Sequence, residues 1–240
     1  SMLKSIKKLF GAEPRAASTF VPEGRRYYAI GDIHGRNDLF EALIEAIDAE
    51  IESAEADGVE SEAILLGDLV DRGPDSAAVI DNALEWEKRR AVRFLAGNHE
   101  EMFLQSFEDK KVLRHFLRHG GRETILSYGI PKKRYNEASL EELQDLIRET
   151  VPVEHREFLA KFEEMIVAGD YVFVHAGIAP GVELEEQRRD DLLWIRDRFL
   201  AHDAPHPRLV VHGHTIFEKV DERPNPVSYT HLTLPTNREV

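Results

Sequence analysis

The sequence predicts an α/β fold, and three observations predict it. Short apolar runs recur and each closes on glycine and a polar residue: "YYAIGDIHG", "AILLGDLVDRG", "VRFLAGNHE", "YVFVHAG" and "RLVVHGH". They are rich in Ile, Leu, Val, Phe and Tyr, the composition of buried strands. Helix-periodic segments separate the first three, and connections that long join parallel strands in a right-handed succession.

The elements follow in order. Residues 1–24 read as an N-terminal extension. Leu3, Ile6, Leu9 and Phe10 have helical spacing with Lys4, Lys7 and Lys8 between them, which would suit a basic amphipathic helix on a membrane surface or partner. The stretch is short and Pro14, Pro22 and Gly24 follow, so a loosely docked tail is the favoured expectation. Ser1 before Met2 reads as a tag-cleavage scar. A helix is expected over 37–56, with Leu39, Phe40, Leu43, Ile44 and Ile47 on one face, and another over 75–90, with Ala78, Val79, Ala83 and Trp86. Acids crowd residues 45–62 without a base among them and read as a solvated face. Residues 99–166 are expected to be a helical insertion, with Ser139 and Glu142 forming a capping box. "EMIVAGDYVFVHAG" reads as a hairpin through Gly169-Asp170, and 189–200 returns to helix.

Composition narrows the function classes. The 240 residues carry 31 basic and 45 acidic side chains, a net charge of -14. Such a surface repels nucleic-acid phosphates, and would repel any anionic substrate unless a local feature reverses the field. Cysteine is absent, which removes disulfides and thiolate metal sites and permits a reducing cytosol. No apolar run reaches the roughly 18 residues of a membrane span, and no secretory segment is visible. A cytoplasmic location is expected.

The chemistry gathers where strands end, the usual ligand position in α/β sheets. Five such ends carry Asp32 and His34, Asp68, Asn98 and His99, His175, and His212 and His214. Asp32 and His34 are two apart and would share a side if strand geometry persists. Singly, an aspartate here caps a helix, an asparagine makes a turn and a histidine sits hydrogen-bonded in a core. Five occurrences at one topological place outweigh those readings. Oxygen and imidazole donors without sulfur suit manganese first, with iron or zinc as alternatives. Six ligands exceed the need of one open metal site and suffice for two ions sharing a carboxylate, ~3.5–4 Å apart. Two divalent ions against Asp32, Asp68 and a hydroxide leave the centre net positive, which reverses the field where a phosphate must arrive. His115 and His119 lack the glutamate of a zincin helix and read as surface or lid residues. His155, His202, His206 and His231 show no partner in the sequence.

The ordered set "GDIHG", "GDLVDRG", "GNHE", "HAG" and "HGHT" resembles the signature of the phosphoprotein phosphatase (PPP) family, among the calcineurin-like metallophosphoesterases, over residues 28–220. The resemblance implies a two-sheet α/β sandwich flanked by helices, spanning 25–224. It implies that Asp32 and His34 bind a first divalent metal, Asp68 bridges, and Asn98, His175 and His214 bind a second. His99 would protonate the leaving oxygen, Asp71 would orient His99, and Arg72 and Arg196 would clamp phosphate. The implied reaction is in-line hydrolysis of phosphoserine or phosphothreonine proteins, or of small phosphomonoesters. A dinucleoside polyphosphate hydrolase is the alternative. In its symmetrical form the "VDRG" aspartate is usually alanine and "GNHE" is usually "GNHD", so Asp71 and Glu100 favour the phosphatase. A truncated, silent binding module is the third reading. The PPP pattern expects closing strands after "GHT", but "PNPVSYTHLTLPTNREV" resembles translated adapter sequence. Residues 225–240 are therefore expected to be a non-native tail in place of the closing strands, leaving a sheet edge that a neighbouring chain, by self-association, or the tail itself could cover.

Overall fold

The computed structural model describes residues 20–215 and 228–230. The expected amphipathic segment around Leu3–Phe10, His231 and most of 225–240 lie outside those residues. Residues 20–24 close onto the hairpin expected at Gly169-Asp170: Phe20 N donates to Asp170 Oδ2 (2.9 Å) and Asp170 N to Phe20 O (3.0 Å).

Strands β1 (Arg25–Ile30), β2 (Glu60–Leu65) and β3 (Val92–Phe94) form a parallel sheet in the order β1-β2-β3. Helices α1 (Asn37–Ala56) and α2 (Ser76–Arg89) make the crossovers. The second sheet has the order β4-β5-β6-β7, from β4 (Met165–Ala168), β5 (Tyr171–Val174), β6 (Leu209–His212) and β7 (Ser228–Thr230). β4 and β5 pair antiparallel, with Ala168 opposite Tyr171 as the hairpin predicts, while β5-β6 and β6-β7 are parallel. The outer neighbour of β6 is thus the chain's own Ser228–Thr230 rather than a bare edge.

Alternation along the strands builds the layers. Ala63 and Leu65 pack with the helices, as do Val172, Val174 and Val210. Ile64, Leu66, Phe173 and Val211 point the other way and join Leu95 and Ile166 in a separate cluster between the sheets. A period of two, apolar on both faces, is what a doubly covered strand requires. The result is helices, sheet, sheet, helices.

The insertion holds α3 (Asn98–Ser106), α4 (Lys110–Phe116), a wide turn over Leu117–Gly121, α5 (Arg122–Ser127), α6 (Lys132–Glu137), α7 (Leu140–Thr150) and α8 (Val153–Ala160). It closes at Ala160, because Met165 and Ile166 enter β4. The Ser139–Glu142 capping box forms. The helix expected over 189–200 is two pieces, α9 (Arg189–Trp194) and α10 (Asp197–Leu200), broken at Arg196, whose φ of -133° and ψ of -105° are not helical. The acidic face of α1 is not wholly solvated. Asp48 accepts from Trp86 Nε1 (2.8 Å) and pairs with Arg89, and Glu52 pairs with Arg90 (2.6 Å), which ties α1 to α2. His155 also gains partners, the Tyr128 hydroxyl (2.9 Å) and Asp81 (2.9 Å), while His202 and His206 pair their rings at 5.1 Å.

Candidate metal centre

β1 ends at Ile30, so Asp32 and His34 do not reach one side by strand alternation. A tight turn carries them: Ile33 N and His34 N both donate to Asp68 O (3.0 and 2.9 Å), and His34 has a positive φ of 46°. Among the described residues, the non-glycine positions with positive φ are His34, Asp68, Asp71, Arg72 and His214. Each costs roughly 1 kcal/mol or more, and all five are expected site residues. Two glycines give the ligands room. A Cβ on Gly97 would lie 2.2 Å from Asp68 Oδ1, and one on Gly213 2.6 Å from Asp32 Oδ1.

The six expected ligands are all buried. His175 Nδ1 donates to Leu66 O (2.6 Å), which turns Nε2 inward. That nitrogen lies 3.0 Å from Asn98 Oδ1 and 3.2 Å from His214 Nδ1, and His214 Nδ1 lies 3.0 Å from Asn98 Oδ1. On the other side His34 Nδ1 donates to Val70 O (2.8 Å) and aims Nε2 at Asp68 Oδ2 (3.7 Å) and Asp32 Oδ2 (3.9 Å). His34 Nε2 is buried without a hydrogen-bond partner among the described residues. Electron-pair donors facing one another across such gaps repel unless a cation lies between them. Asp68 belongs to two donor groups, one with His34 and His99 and one with His175 and His214, each with its atoms within 4.8 Å of one another. The donor set therefore fits two cations around one shared carboxylate.

The electrostatics are those of the protein's own groups alone. Burial opposes the charged form of His175, but the Asp68 charge and hydrogen bond outweigh it and push its pKa up to about 9, so a cation would displace a proton from this ring. Burial and the Asp68 charge push Asp32 up to about 6. Burial opposes ionisation of Asp68 too, but the His175 and His99 charges hold its pKa well below the usual range. Burial lowers His34 and His214 to about 3, which keeps them neutral and able to ligate.

His99 and Asp71 form a second unit beside these donors. His99 Nδ1 donates to Asp71 Oδ2 (2.6 Å), and both side chains are buried. Burial alone would lower the His99 pKa, but the Asp68 charge and the Asp71 hydrogen bond outweigh it and raise it. Arg72 takes neither Asp71 nor Asp75 as partner. Its Nη2 lies 3.3 Å from His99 Nε2. Arg196 stands exposed at the break between α9 and α10, and its charge reaches His214.

Two supports were not legible as site residues. In the sequence Glu100 closes "GNHE" and separates two families, with no contact implied for it. Its Oε2 accepts from Asp68 N (2.8 Å) and Gly97 N (2.9 Å), and its Oε1 from Leu69 N (2.7 Å) and Val70 N (3.3 Å). Burial and the Asp68 charge push its pKa up to about 7, yet four N–H donors leave no oxygen free for a proton, so the loop is built around the carboxylate. Glutamine must turn its NH₂ against two of these donors. We expect Glu100→Gln to lose about 3 kcal/mol of stability, read as a shift in the denaturation midpoint. An unchanged midpoint would contradict it. The other support is Thr124 of α5, whose hydroxyl donates to Asp71 Oδ1 (2.6 Å) and accepts from Asp71 N (2.8 Å) and from Ser76 Oγ (2.9 Å). The insertion thus fixes the carboxylate that fixes His99.

Residues 25–232 match the family model described as calcineurin-like phosphoesterase. An asymmetrical bis(5'-nucleosyl)-tetraphosphatase PrpE of Oceanobacillus iheyensis is 29% identical over 109 residues, 45% of this chain and 42% of that protein. A symmetrical bis(5'-nucleosyl)-tetraphosphatase of an Acidovorax species is 31% identical over 159 residues, 66% of this chain and 46% of that protein. The chain therefore spans about half the length of these curated relatives. A solved structure provisionally assigned as a diadenosine tetraphosphatase superposes with a TM-score of 0.58 at 18% identity, covering 88% of this chain and 85% of the other, which supports the fold.

Proposed function

The chain belongs to the calcineurin-like phosphoesterases, and from that premise we propose that it is a metal-dependent hydrolase of dinucleoside polyphosphates. Similarity to bis(5'-nucleosyl)-tetraphosphatases of both cleavage types carries the assignment. It reverses the order expected from Asp71 and Glu100 alone, which placed the protein phosphatase first. Asp32, His34, Asp68, Asn98, His175 and His214 would hold the metals. Two bound divalent ions supply Lewis acidity toward phosphoryl oxygens and activate water at neutral pH. Manganese is the first choice for this sulfur-free donor set, with iron or zinc next.

The chain's own groups do the rest. Arg72 and Arg196 orient the phosphoryl oxygens through charge-assisted hydrogen bonds. When Arg72 moves from His99 Nε2 to a phosphate oxygen, that nitrogen is freed to carry a proton. His99 then donates it to the leaving oxygen while Asp71 holds Nδ1 and stabilises the charge.

A second reading, hydrolysis of phosphoserine or phosphothreonine, is favoured by the buried His99–Asp71 pair. An alkoxide leaves poorly and needs the proton, whereas a phosphate anhydride leaves well without it. Metal-loaded protein assayed on diadenosine tetraphosphate and on a phosphothreonine peptide separates the two. We expect kcat/KM to favour the dinucleotide by about tenfold or more, ~1.4 kcal/mol in the barrier. The opposite ratio assigns the phosphatase. Metal binding without turnover of either substrate would return the chain to a silent binding module. No described helix is long and apolar enough to cross a membrane. A cytoplasmic place remains part of this proposal.

A further inference from the structure

The turn Leu117–Gly121 is wider than an α-helical turn, and His119 and Gly120 inside it leave helical geometry. Wide turns of this kind inside helices recur at functional sites. This one rests on the proposed phosphate clamp. Arg72 N donates to Gly120 O (3.0 Å), and a Cβ on Gly120 would lie 2.7 Å from the Arg72 backbone nitrogen and Cγ. Gly120 has a φ of 99°, so the left-handed backbone and the close approach both call for glycine.

The residues leading into that contact are basic in a chain of net charge -14. His115, Arg118 and His119 are all exposed. The two imidazoles lie with centroids 4.0 Å apart and planes tilted by 44°, and His119 Nδ1 donates to His115 O (2.8 Å), which leaves His119 Nε2 as the nitrogen available to a ligand. The His99 charge reaches His115, which places the pair within electrostatic range of the proposed acid. Most arginines of the described residues are spent on carboxylates: Arg36, Arg89, Arg90, Arg93, Arg122 and Arg189 all are. No ion pair within 4.0 Å ties Arg118 to a carboxylate among the described residues, and its side chain is exposed. A guanidinium exposed two positions before the glycine that bonds the Arg72 backbone, in an otherwise repelling surface, raises the local concentration of anions.

We infer that His115, Arg118 and His119 form a second anion subsite beyond Arg72, which takes the phosphate groups of an extended polyphosphate chain whose reacting phosphoryl lies at the clamp. The inference rests on the proposed function only in treating Arg72 as the phosphate-binding side. It gives the -14 surface a path by which a multiply charged substrate can approach, and it separates a chain of phosphates from a single phosphate group.

The test is competition with inorganic tripolyphosphate and with orthophosphate, measured on p-nitrophenyl phosphate turnover by the metal-loaded protein. Arg118→Ala and the double variant Arg118→Ala/His119→Ala are compared with the parent. The tripolyphosphate Ki, taken relative to the orthophosphate Ki, is expected to rise roughly tenfold on losing a charge-assisted contact. Metal chelation by tripolyphosphate is common to all proteins and cancels in the comparison. Arg118→Lys retains the charge and is expected to recover most of the parent ratio. A ratio unchanged within about twofold, or an equal rise in both constants, overturns the subsite. Because no dinucleotide is used, a chain inactive on diadenosine tetraphosphate could still pass this test, and an active one could fail it.

Discussion

His99→Asn is expected to retain bound metal and to lose about 10²–10⁴-fold in turnover on an alkyl phosphate, with a smaller loss on p-nitrophenyl phosphate. The substitution is chosen for what it preserves. Asparagine keeps a donor for Asp71, which would otherwise be a fully buried carboxylate without its strongest partner. It also keeps the backbone N–H that donates to Asp68 Oδ1 (3.1 Å). It removes Nε2, and with that nitrogen both the ability to carry a proton and the 3.3 Å contact to Arg72. The graded effect follows from the leaving group: a nitrophenolate departs without protonation and an alkoxide does not. Turnover of both esters and metal content by elemental emission check it. Equal rates of variant and parent on the alkyl ester would remove His99 from the role of acid. Loss of metal would instead make His99 a ligand, a reading that its place 4.0 Å from Asp68 Oδ2 makes worth excluding.

The second large effect is at Asp68. Its carboxylate is the one group common to both donor sets, with Oδ1 3.4 Å from His175 Nε2 and Oδ2 3.7 Å from His34 Nε2. Asp68→Asn keeps the shape but removes the charge and sets an amide NH₂ against an imidazole lone pair or a cation. Metal affinity is expected to fall by at least about 100-fold. A ligand bound only by the native state raises stability in proportion to the logarithm of its concentration over Kd. The parent melting temperature should therefore climb as manganese is titrated in, and that of Asp68→Asn should not. The melt reads metal binding without reference to turnover. A variant that still binds two ions per chain would show that the donor sets do not depend on a shared carboxylate.

The sheet order and the site were legible to different degrees. Strand-like runs with long helical crossovers announced the parallel β1-β2-β3 sheet, because a period of two and a period of 3.6 are local properties. The same locality explains the hairpin at Gly169-Asp170 and the capping box at Ser139. The break at Arg196 was not legible. Residues 189–200 are helix-compatible throughout, and what bends them lies elsewhere: Ala176 N donates to Leu192 O (2.8 Å), and Phe199 packs its ring on His212 (5.0 Å). The acidic run of α1 likewise read as solvated because its partners, Trp86, Arg89 and Arg90, sit on another helix.

The sequence by itself determined the kinds of donor and their places at strand ends, since ligand chemistry is a property of side chains and strand ends are set by local pattern. Only the tertiary structure decided how those donors are held. Asp71 meets Thr124 across 53 positions, and His214 N meets Asp32 Oδ1 across 182. Glu100 gathers four backbone N–H groups from the turns around it, and the left-handed turns at His34, Asp68 and His214 aim the side chains inward. Apart from the local Gly97–Glu100 bond, these contacts arise from the packing of two sheets and an insertion, and no short window along the chain contains both partners.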